Sequence, residues 1–177
     1  HARLGGGAWS GKKRLSVHRP TVDCIPEKGQ IALVPGWFSR SKNTGNDFYG
    51  RLGETRTTGS VVYDLCLAAC GISQYSLTGF ASVWDYAAGI LLISEAGGTV
   101  ATLRSIHDRK SDSGWTKFRS FAEPYENSTK TYQQLRDWHG LIIGGEPNLV
   151  DFIAKNYRTP SVSLVRRLHK ALFCNKR

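Results

Sequence analysis

The sequence predicts a layered α/β sandwich, in which helices alternate with the strands of a sheet. Short apolar runs typical of buried strands alternate with stretches of helical periodicity along the 177 residues. Hydrophobic residues make up 40% of the chain and charged residues 21%, which is ordinary for a globular domain. No apolar run is long enough to predict a membrane span.

The first elements are predicted to be strands. "ARLGGGAWSGKKRLSV" indicates a strand, a glycine turn and a second strand, and "QIALVPGW" (30–37) indicates a buried strand that ends at Pro35–Gly36. Residues 38–55 are polar and rich in glycine, so we expect a loop there, with room for a short helical turn.

Two helices follow. Ser60 is a favourable N-cap and Gly71 a favourable stop for "TTGSVVYDLCLAACG". A strand region, "QYSLTGFAS", is broken by Gly79, and a second helix is predicted over 85–96. The faces predicted to be buried are Val61, Val62, Leu65, Ala68 and Ala69 on the first helix, and Trp84, Ala87, Ala88, Leu91 and Leu92 on the second.

The last third contains two further strands and a helix. "TVATL" and "GLIIGG" (140–145) indicate strands, and "PNLVDFIAKNY" indicates a helix with proline in its first turn. Residues 104–136 are polar and lack a sustained period, so we expect a long surface loop or insertion in the lobe formed by 1–157.

A basic tail, 158–177, completes the chain. Leu164, Leu168 and Leu172 recur every four residues among arginines and lysines, which is typical of an amphipathic helix. Such a helix can lie on a membrane surface or dock on its own domain. The short length and the few aromatic residues favour docking or fraying.

Charge and cysteine content restrict the partners and the compartment. The net charge of +10 comes without a helix-turn-helix, zinc-finger or RNA-binding signature, so we expect neither a nucleic acid nor a membrane partner. Four cysteines, none in a Cys-x-x-Cys pair, suggest free thiols in a reducing, cytoplasmic compartment. The chain begins with His1 and has no methionine, which predicts a processed or partial chain.

Two helix starts could carry chemistry. Gly59–Ser60, preceded by Arg56, could place a phosphate on the unpaired N–H groups of a helix N-terminus, although simple capping by Ser60 is favoured by the residues alone. Asp85 is either a helix-start acid worth about 1 kcal/mol or a ligand of Mg²⁺. Glu95 lies at the other end of the same helix, so we interpret it as structural.

These stretches resemble the inositol monophosphatase family. "WDYAAGILLISEAGG" resembles the family signature Trp-Asp-x-Ala-Ala-Gly followed by Glu-Ala-Gly-Gly, and "RTTGSVVYDLCLAACG" resembles the Arg-x-x-Gly-Ser helix before it. The opening hairpin resembles the family's glycine-rich hairpin. The resemblance covers residues 2–103 well and 138–157 more loosely, and it implies the C-terminal half of that fold, with a mixed sheet.

The resemblance implies a magnesium-dependent phosphate monoester hydrolase with two or more ions in the complete enzyme. Asp85 matches a metal ligand, and Gly59, Ser60 and Val61 match the helix start that contacts substrate. Thr78 stands where inositol-specific members carry a glutamate; it can bond a hydroxyl without the charge, which extends the substrate class to other sugar or nucleotide phosphates.

The family's Glu-Glu metal ligands and its Asp-Pro-x-Asp-Gly-Thr motif belong to an N-terminal lobe that this sequence does not include. The resemblance therefore assigns no catalytic residue to this chain and predicts little activity for 1–177 alone. The expected partners are a small phosphorylated substrate, the N-terminal lobe and, as an option, a second copy. The alternative is a non-catalytic binding or assembly module derived from the family.

Overall fold

The computed structural model describes residues 1–21, 25–38, 51–103, 114–122 and 128–157. Strands and helices alternate along these residues. The strands form a seven-stranded mixed sheet and a separate three-stranded sheet. The predicted α/β sandwich with a mixed sheet is confirmed. The predicted tail helix in 158–177 lies outside the described residues.

The small sheet opens the chain as an antiparallel meander. Its strands are β1 (Ala2–Arg3), β2 (Gly7–Ser10) and β3 (Lys13–Arg14). Gly5 lies in the turn between β1 and β2 with φ of +73°, a conformation that residues with a side chain adopt rarely. The predicted strand, glycine turn and strand are confirmed, and β3 adds a third strand.

The large sheet has the order β5-β4-β6-β10-β8-β9, with β7 pairing to β10 as well. Its strands are β4 (Ile31–Leu33), β5 (Glu54–Arg56), β6 (Tyr75–Leu77), β7 (Ala81–Ser82), β8 (Thr99–Leu103), β9 (Thr116–Lys117) and β10 (His139–Gly145). β4 is parallel to β5 and β6, whereas β6, β7 and β8 are antiparallel to β10. The sheet is therefore parallel on one side and antiparallel on the other.

Four helices are described, and three of them build the layers on the two faces of the sheet. They are α1 (Val61–Ala69), α2 (Val83–Glu95), α3 (Ser128–Asp137) and α4 (Pro147–Asn156). Along β10, Ile142 packs with α1 and α2, while Leu141 and Ile143 pack with α4. Because successive side chains of a strand point to opposite faces of the sheet, β10 contributes to a hydrophobic core on each face.

The strand registers place the first turns of α1 and α2 at one edge of the sheet. Tyr75 of β6 lies opposite Gly145, and Ser82 of β7 lies opposite His139. α1 ends shortly before β6, α2 begins directly after β7, and α2 leads into β8, whose first residue also lies opposite Gly145. Both helices therefore start at the end of the sheet where His139 lies and finish at the end where Gly145 lies.

The parallel strands end at the same edge. β4 and β5 run in the direction of β6, and the Thr57 hydroxyl, just after β5, donates to the carbonyl of Val34, just after β4, at 2.7 Å. We call this the carboxyl edge: the edge marked by Val34, Thr57 and Ser82, where β4–β7 end and α1 and α2 begin. Ligands of α/β sheets bind at such strand ends.

A glycine allows α1 and α2 to pack closely side by side. A Cβ atom added to Gly89 would lie 2.6 Å from Cβ of Leu65, a residue that is fully buried. The backbone of α2 therefore rests directly on the Leu65 side chain. This contact fixes the spacing of the two helix starts.

The predicted buried face of α2 is wrong. Trp84 is 69% exposed, Ala87 and Ala88 are also exposed, and the buried residues are Tyr86, Gly89, Ile90 and Ile93. α2 is apolar around most of its circumference, so periodicity does not identify the packed face. The close contact at Gly89 decides it.

Three other predictions need correction. On α1, Val62 is 43% exposed, and Asp64 is buried instead. β5 begins within the predicted loop 38–55. The predicted loop 104–136 contains β9, most of α3 and the buried Trp115. β9 has two residues and α3 is largely polar and exposed, so neither produces a clear apolar period.

Within the described residues, no helix combines the length and apolar character needed to cross a membrane.

Candidate functional site

The start of α1 leaves polar groups available at the carboxyl edge. Ser60 is the N-cap, as predicted, and has an extended backbone, but its hydroxyl makes no capping hydrogen bond. The first N–H groups of any helix lack partners within the helix. Gly59 has φ of +87° and open space where a side chain would stand. A small anion therefore has room to approach this turn.

Two residues that sequence reasoning missed support this turn. The Thr58 hydroxyl lies 2.5 Å from Oδ1 of Asp64 and accepts the N–H of Ser60 at 3.2 Å. Asp64 is 7% exposed, and burial raises the pKa of its carboxyl group while the hydrogen bond from Thr58 lowers it. The sequence signal that could have identified this support is a threonine two residues before Ser60 and an aspartate four residues after it.

The start of α2 presents a carboxylate at the same edge. The N-cap is Ser82, so the helix begins two residues before the predicted Asp85, which is its third residue. Oδ2 of Asp85 accepts the backbone N–H of Ser82 at 3.1 Å in a capping box. Among the described residues, Oδ1 of Asp85 has no hydrogen-bond partner, and the side chain is only partly buried.

Thr78 lies below the carboxyl edge, inside the core. It is 2% exposed, and its hydroxyl oxygen lies 3.2 Å from the carbonyl of Ile142 and 3.1 Å from the hydroxyl of Tyr86. That tyrosine also lies 2.9 Å from the carbonyl of Gly140, and burial raises its pKa. The structure therefore surrounds Thr78 with internal partners.

Glu95 is structural, as predicted. Its two carboxylate oxygens accept the backbone N–H groups of Gly5 and Gly7, each at 2.8 Å, which attaches β1 and β2 to the end of α2. These hydrogen bonds lower the pKa of Glu95. Its place at the far end of α2 separates it from Asp85.

Metal-binding groups are sparse in the part of the chain that the structure describes. No cluster of three or more histidine, cysteine or acidic side chains occurs there. Cys66 and Cys70 are free, and burial raises the pKa of the Cys66 thiol. Cys24 and Cys174 lie outside the described residues. Mg²⁺ often takes only one or two protein carboxylates, with water and phosphate oxygens as its other ligands, and Asp85 fits one such position.

A cavity of about 320 Å³ lies away from this edge, between β8, β9 and α4. Its walls include Trp115, Lys117 and Lys155. Neither Asp85 nor Ser60 contributes to it. The candidate site consists of the two helix starts at the carboxyl edge, where Gly59 and Ser60 are exposed and Asp85 is partly buried.

Comparison with known proteins identifies the relatives of the chain. The model of the "Inositol monophosphatase family" matches residues 1–135. The chain is 29% identical over 107 residues to the inositol-1-monophosphatase of Bacillus subtilis (strain 168), covering 58% of this chain and 39% of that protein. It is 41% identical over 51 residues to the Nus factor SuhB of Xylella fastidiosa (strain Temecula1 / ATCC 700964), covering 29% and 18%.

The fold has solved counterparts. The crystal structure of inositol monophosphatase II from Staphylococcus aureus MSSA476 matches with a TM-score of 0.60 at 19% sequence identity, over 97% of this chain and 55% of that chain. The chain thus spans much less than the full length of the relatives it matches. The extent of the family match and the shared fold agree: this chain belongs to the inositol monophosphatase family.

Proposed function

We propose that the chain forms part of a magnesium-dependent hydrolase of phosphate monoesters. The observation that carries this proposal is the meeting of two complementary groups at the carboxyl edge. The start of α1 offers N–H groups and the Ser60 hydroxyl, which suit an anion, and the start of α2 offers Asp85, which suits a cation. A phosphate with its counter-ion requires both.

Asp85 is proposed as one ligand of the ion. Its Oδ2 accepts a hydrogen bond from the Ser82 N–H, and this bond orients the carboxylate. Its Oδ1 remains as a hard oxygen donor, the type that Mg²⁺ prefers. Bound Mg²⁺ would supply polarisation of the phosphate and a lowered pKa for an attacking water.

Gly59, Ser60 and Val61 are proposed to hold the phosphate or the adjoining part of the substrate. Gly59 allows close approach, Ser60 supplies a hydroxyl, and Val61 supplies a first-turn N–H group. Thr78 is better suited to a supporting role. Its buried hydroxyl forms a hydrogen bond with the hydroxyl of Tyr86 and so helps to fix the start of α2. The residues that activate water are proposed to lie in the N-terminal lobe.

A binding or assembly module is the second candidate. The outer face of α2 exposes Trp84, and Tyr63 of α1 is 54% exposed. Exposed aromatic residues favour contacts with another protein surface. One relative carries the name Nus factor rather than phosphatase, which keeps this candidate open within the family.

Phosphate release separates the two candidates. The substrates are inositol monophosphate, a sugar phosphate and a nucleoside monophosphate, each with and without Mg²⁺. The proteins are 1–177 and the same chain joined to the N-terminal part of the Bacillus subtilis relative that it does not match. We expect magnesium-dependent release from the joined protein and little from 1–177.

Asp85→Asn should lower the rate of the joined protein by at least about 10-fold, the size of effect seen when metal sites are disturbed. Asp151→Asn, which removes an exposed carboxylate from α4, is the matched control and should not change it. A folded joined protein without activity on any substrate would favour the binding module.

A further inference from the structure

The cavity between β8, β9 and α4 is separate from the proposed phosphate site. Its volume of about 320 Å³ lies in the range of small-molecule sites in proteins. Liquid water occupies about 30 Å³ per molecule, so the cavity has room for a ligand of about ten non-hydrogen atoms. No residue of the two helix starts contributes to its walls, so a ligand here would be distinct from the proposed substrate.

Two alanines explain why α4 and the sheet leave this space. Ala101 of β8 and Ala154 of α4 both line the cavity and belong to one hydrophobic core. Elsewhere in the same core the larger side chains of Leu103, Ile143 and Ile153 fill the space between the helix and the sheet. The floor of the cavity is therefore apolar, and the almost completely buried Trp115 adds an aromatic wall.

The pairing of β8 with β9 directs Lys117 toward this floor. Lys117 lies opposite Ala101 in the antiparallel register, and residues directly opposite each other in such a pair place their side chains on the same face of the sheet. Ala101 lies on the face that α4 covers. Lys117 therefore lines the cavity, and it forms no ion pair with any carboxylate that the structure describes.

The other charges at the cavity offset each other. Asp151 and Lys155 lie four residues apart on α4, with the acid nearer the start of the helix, which is the order in which such a pair attracts best. The cavity thus keeps one net positive charge, at Lys117. An apolar floor beside a single cation suits a monoanion with an apolar body. A phosphate monoester carries close to two negative charges at pH 7 and would leave one of them unbalanced.

We propose that this cavity binds a small monocarboxylate. Its apolar body packs on Ala101, Ala154 and Trp115, and its carboxylate pairs with the ammonium group of Lys117. Asp151 and Lys155 balance each other and make no assigned contact with the ligand. Because β9 is an edge strand, a lysine that faces inward there can also discourage pairing with a second sheet. The experiment must therefore separate ligand binding from protection of the edge.

The experiment is a titration of isotope-labelled 1–177 with hydrocinnamate, a phenyl ring on a short carboxylate chain, and with the neutral hydrocinnamyl alcohol. The amide resonances of Ala101, Lys117 and Ala154 and the indole N–H resonance of Trp115 report binding. We expect saturable shifts with a dissociation constant of about 1 mM for hydrocinnamate, a typical affinity for a ligand of this size. The alcohol should bind about 5-fold more weakly, the upper end of what one exposed ion pair contributes.

Three variants locate the interaction. Lys117→Gln should weaken binding of hydrocinnamate by about 5-fold and leave binding of the alcohol unchanged, so that the two ligands bind this variant equally. Lys13→Gln, at an exposed lysine of β3, is the matched control and should keep the wild-type difference between the ligands. Ala154→Leu places a larger side chain in the cavity and should abolish saturable binding of both ligands.

Three results would overturn the proposal: no saturable shifts at the cavity residues, equal affinity of the wild type for the acid and the alcohol, or wild-type binding of hydrocinnamate by Lys117→Gln. In the last case, self-association of Lys117→Gln in light scattering would assign Lys117 to protection of the sheet edge. Lys117 is exposed, so its variant tests the proposal even if Ala154→Leu does not fold.

Discussion

The starts of α1 and α2 are built from similar residues in two different ways. Each has a serine N-cap and an aspartate in its first turn. In α2 the aspartate, Asp85, accepts the N-cap N–H directly and is only partly buried. In α1 the aspartate, Asp64, reaches the N-cap N–H through Thr58 and is almost completely buried.

The difference determines which charge each helix start can receive. Direct capping leaves the Asp85 carboxylate at the carboxyl edge, where it attracts cations. Indirect capping withdraws the Asp64 carboxylate and leaves N–H groups and the Ser60 hydroxyl, which attract anions. Two helix starts that share a serine N-cap and a first-turn aspartate therefore differ in whether the carboxylate lies at the edge.

The packing of α1 against α2 holds the two helix starts together, and Leu65→Ala should weaken this packing. Leu65 is fully buried between the helices and the sheet. Truncating a buried leucine costs about 2–5 kcal/mol of the free energy of unfolding. Chemical denaturation measures this loss, and Val62→Ala, at a side chain of α1 that is 43% exposed, is the control. A loss under about 1 kcal/mol, well below that range, would mean that this contact does not hold the two helix starts together.

Gly89→Ala tests the same contact from the side of α2. Alanine improves the intrinsic helix propensity by about 1 kcal/mol, but its Cβ would lie 2.6 Å from Leu65, and overpacking costs about 1–3 kcal/mol. We expect a lower melting temperature. Gly36→Ala, at a glycine with open space, should change it little.

The double variant Leu65→Ala/Gly89→Ala tests whether the two residues are in direct contact. The methyl group that Gly89→Ala adds fills part of the space that the Leu65 side chain vacates, so the double variant should lose less than the sum of the two single losses. Additive losses, measured by denaturation, would contradict direct contact between these residues.

The two caps should differ in their contribution to stability. Asp85→Ala removes the hydrogen bond to the Ser82 N–H and should cost about 1 kcal/mol. Ser60→Ala removes a hydroxyl that makes no capping bond and should cost much less. Equal losses in thermal unfolding would show that Ser60 caps α1 with its own side chain.

The smallest effect is expected at the other end of α2, where Glu95 holds β1 and β2. Hydrogen bonds from Gly5 and Gly7 lower its pKa below the ordinary value of 4.5. Its contribution to stability is therefore complete above pH 4.5 and is lost as pH falls through the lower value of the folded state.

Hydrogen exchange of the Gly5 and Gly7 amides, corrected for intrinsic rates, should accelerate on acidification in the wild type. Glu95→Gln should remove most of this pH dependence, whereas Glu54→Gln, on β5, should not. If the Gly5 and Gly7 amides lose no protection on acidification, the carboxylate of Glu95 does not hold this sheet.

The sequence predicted the elements with strong periods or clear end signals. Ser60 and Gly71 delimit α1, proline starts α4, and the apolar run of β10 is a strand, as expected. The packed face of α2 could not be predicted, because Tyr86 and Leu91 are both apolar and lie on different sides of the helix. The close contact between Gly89 and Leu65 determines which face of α2 packs against α1. This contact depends on the three-dimensional arrangement of the two helices.

The roles of Gly59, Ser60 and Asp85 stay predictions. α2 begins two residues earlier than expected, which makes Asp85 the third helical residue and part of a capping box. Thr58 and Asp64 were missed because short polar residues near a helix start are common, and only the structure shows that they bond to each other. Thr78, which matches a substrate-contacting position of the family, is 2% exposed, and its burial could not be read from the sequence.

The most direct test of the account is a map of the cation position relative to α1. Mn²⁺, which accepts the same oxygen ligands as Mg²⁺, is added to 1–177 in the presence of inorganic phosphate, and paramagnetic broadening of each amide resonance is recorded. We expect the strongest broadening at the amides of Asp85, Gly59 and Ser60, and its loss in Asp85→Asn. Broadening centred elsewhere, or unchanged in Asp85→Asn, would contradict a shared site for cation and phosphate at the two helix starts.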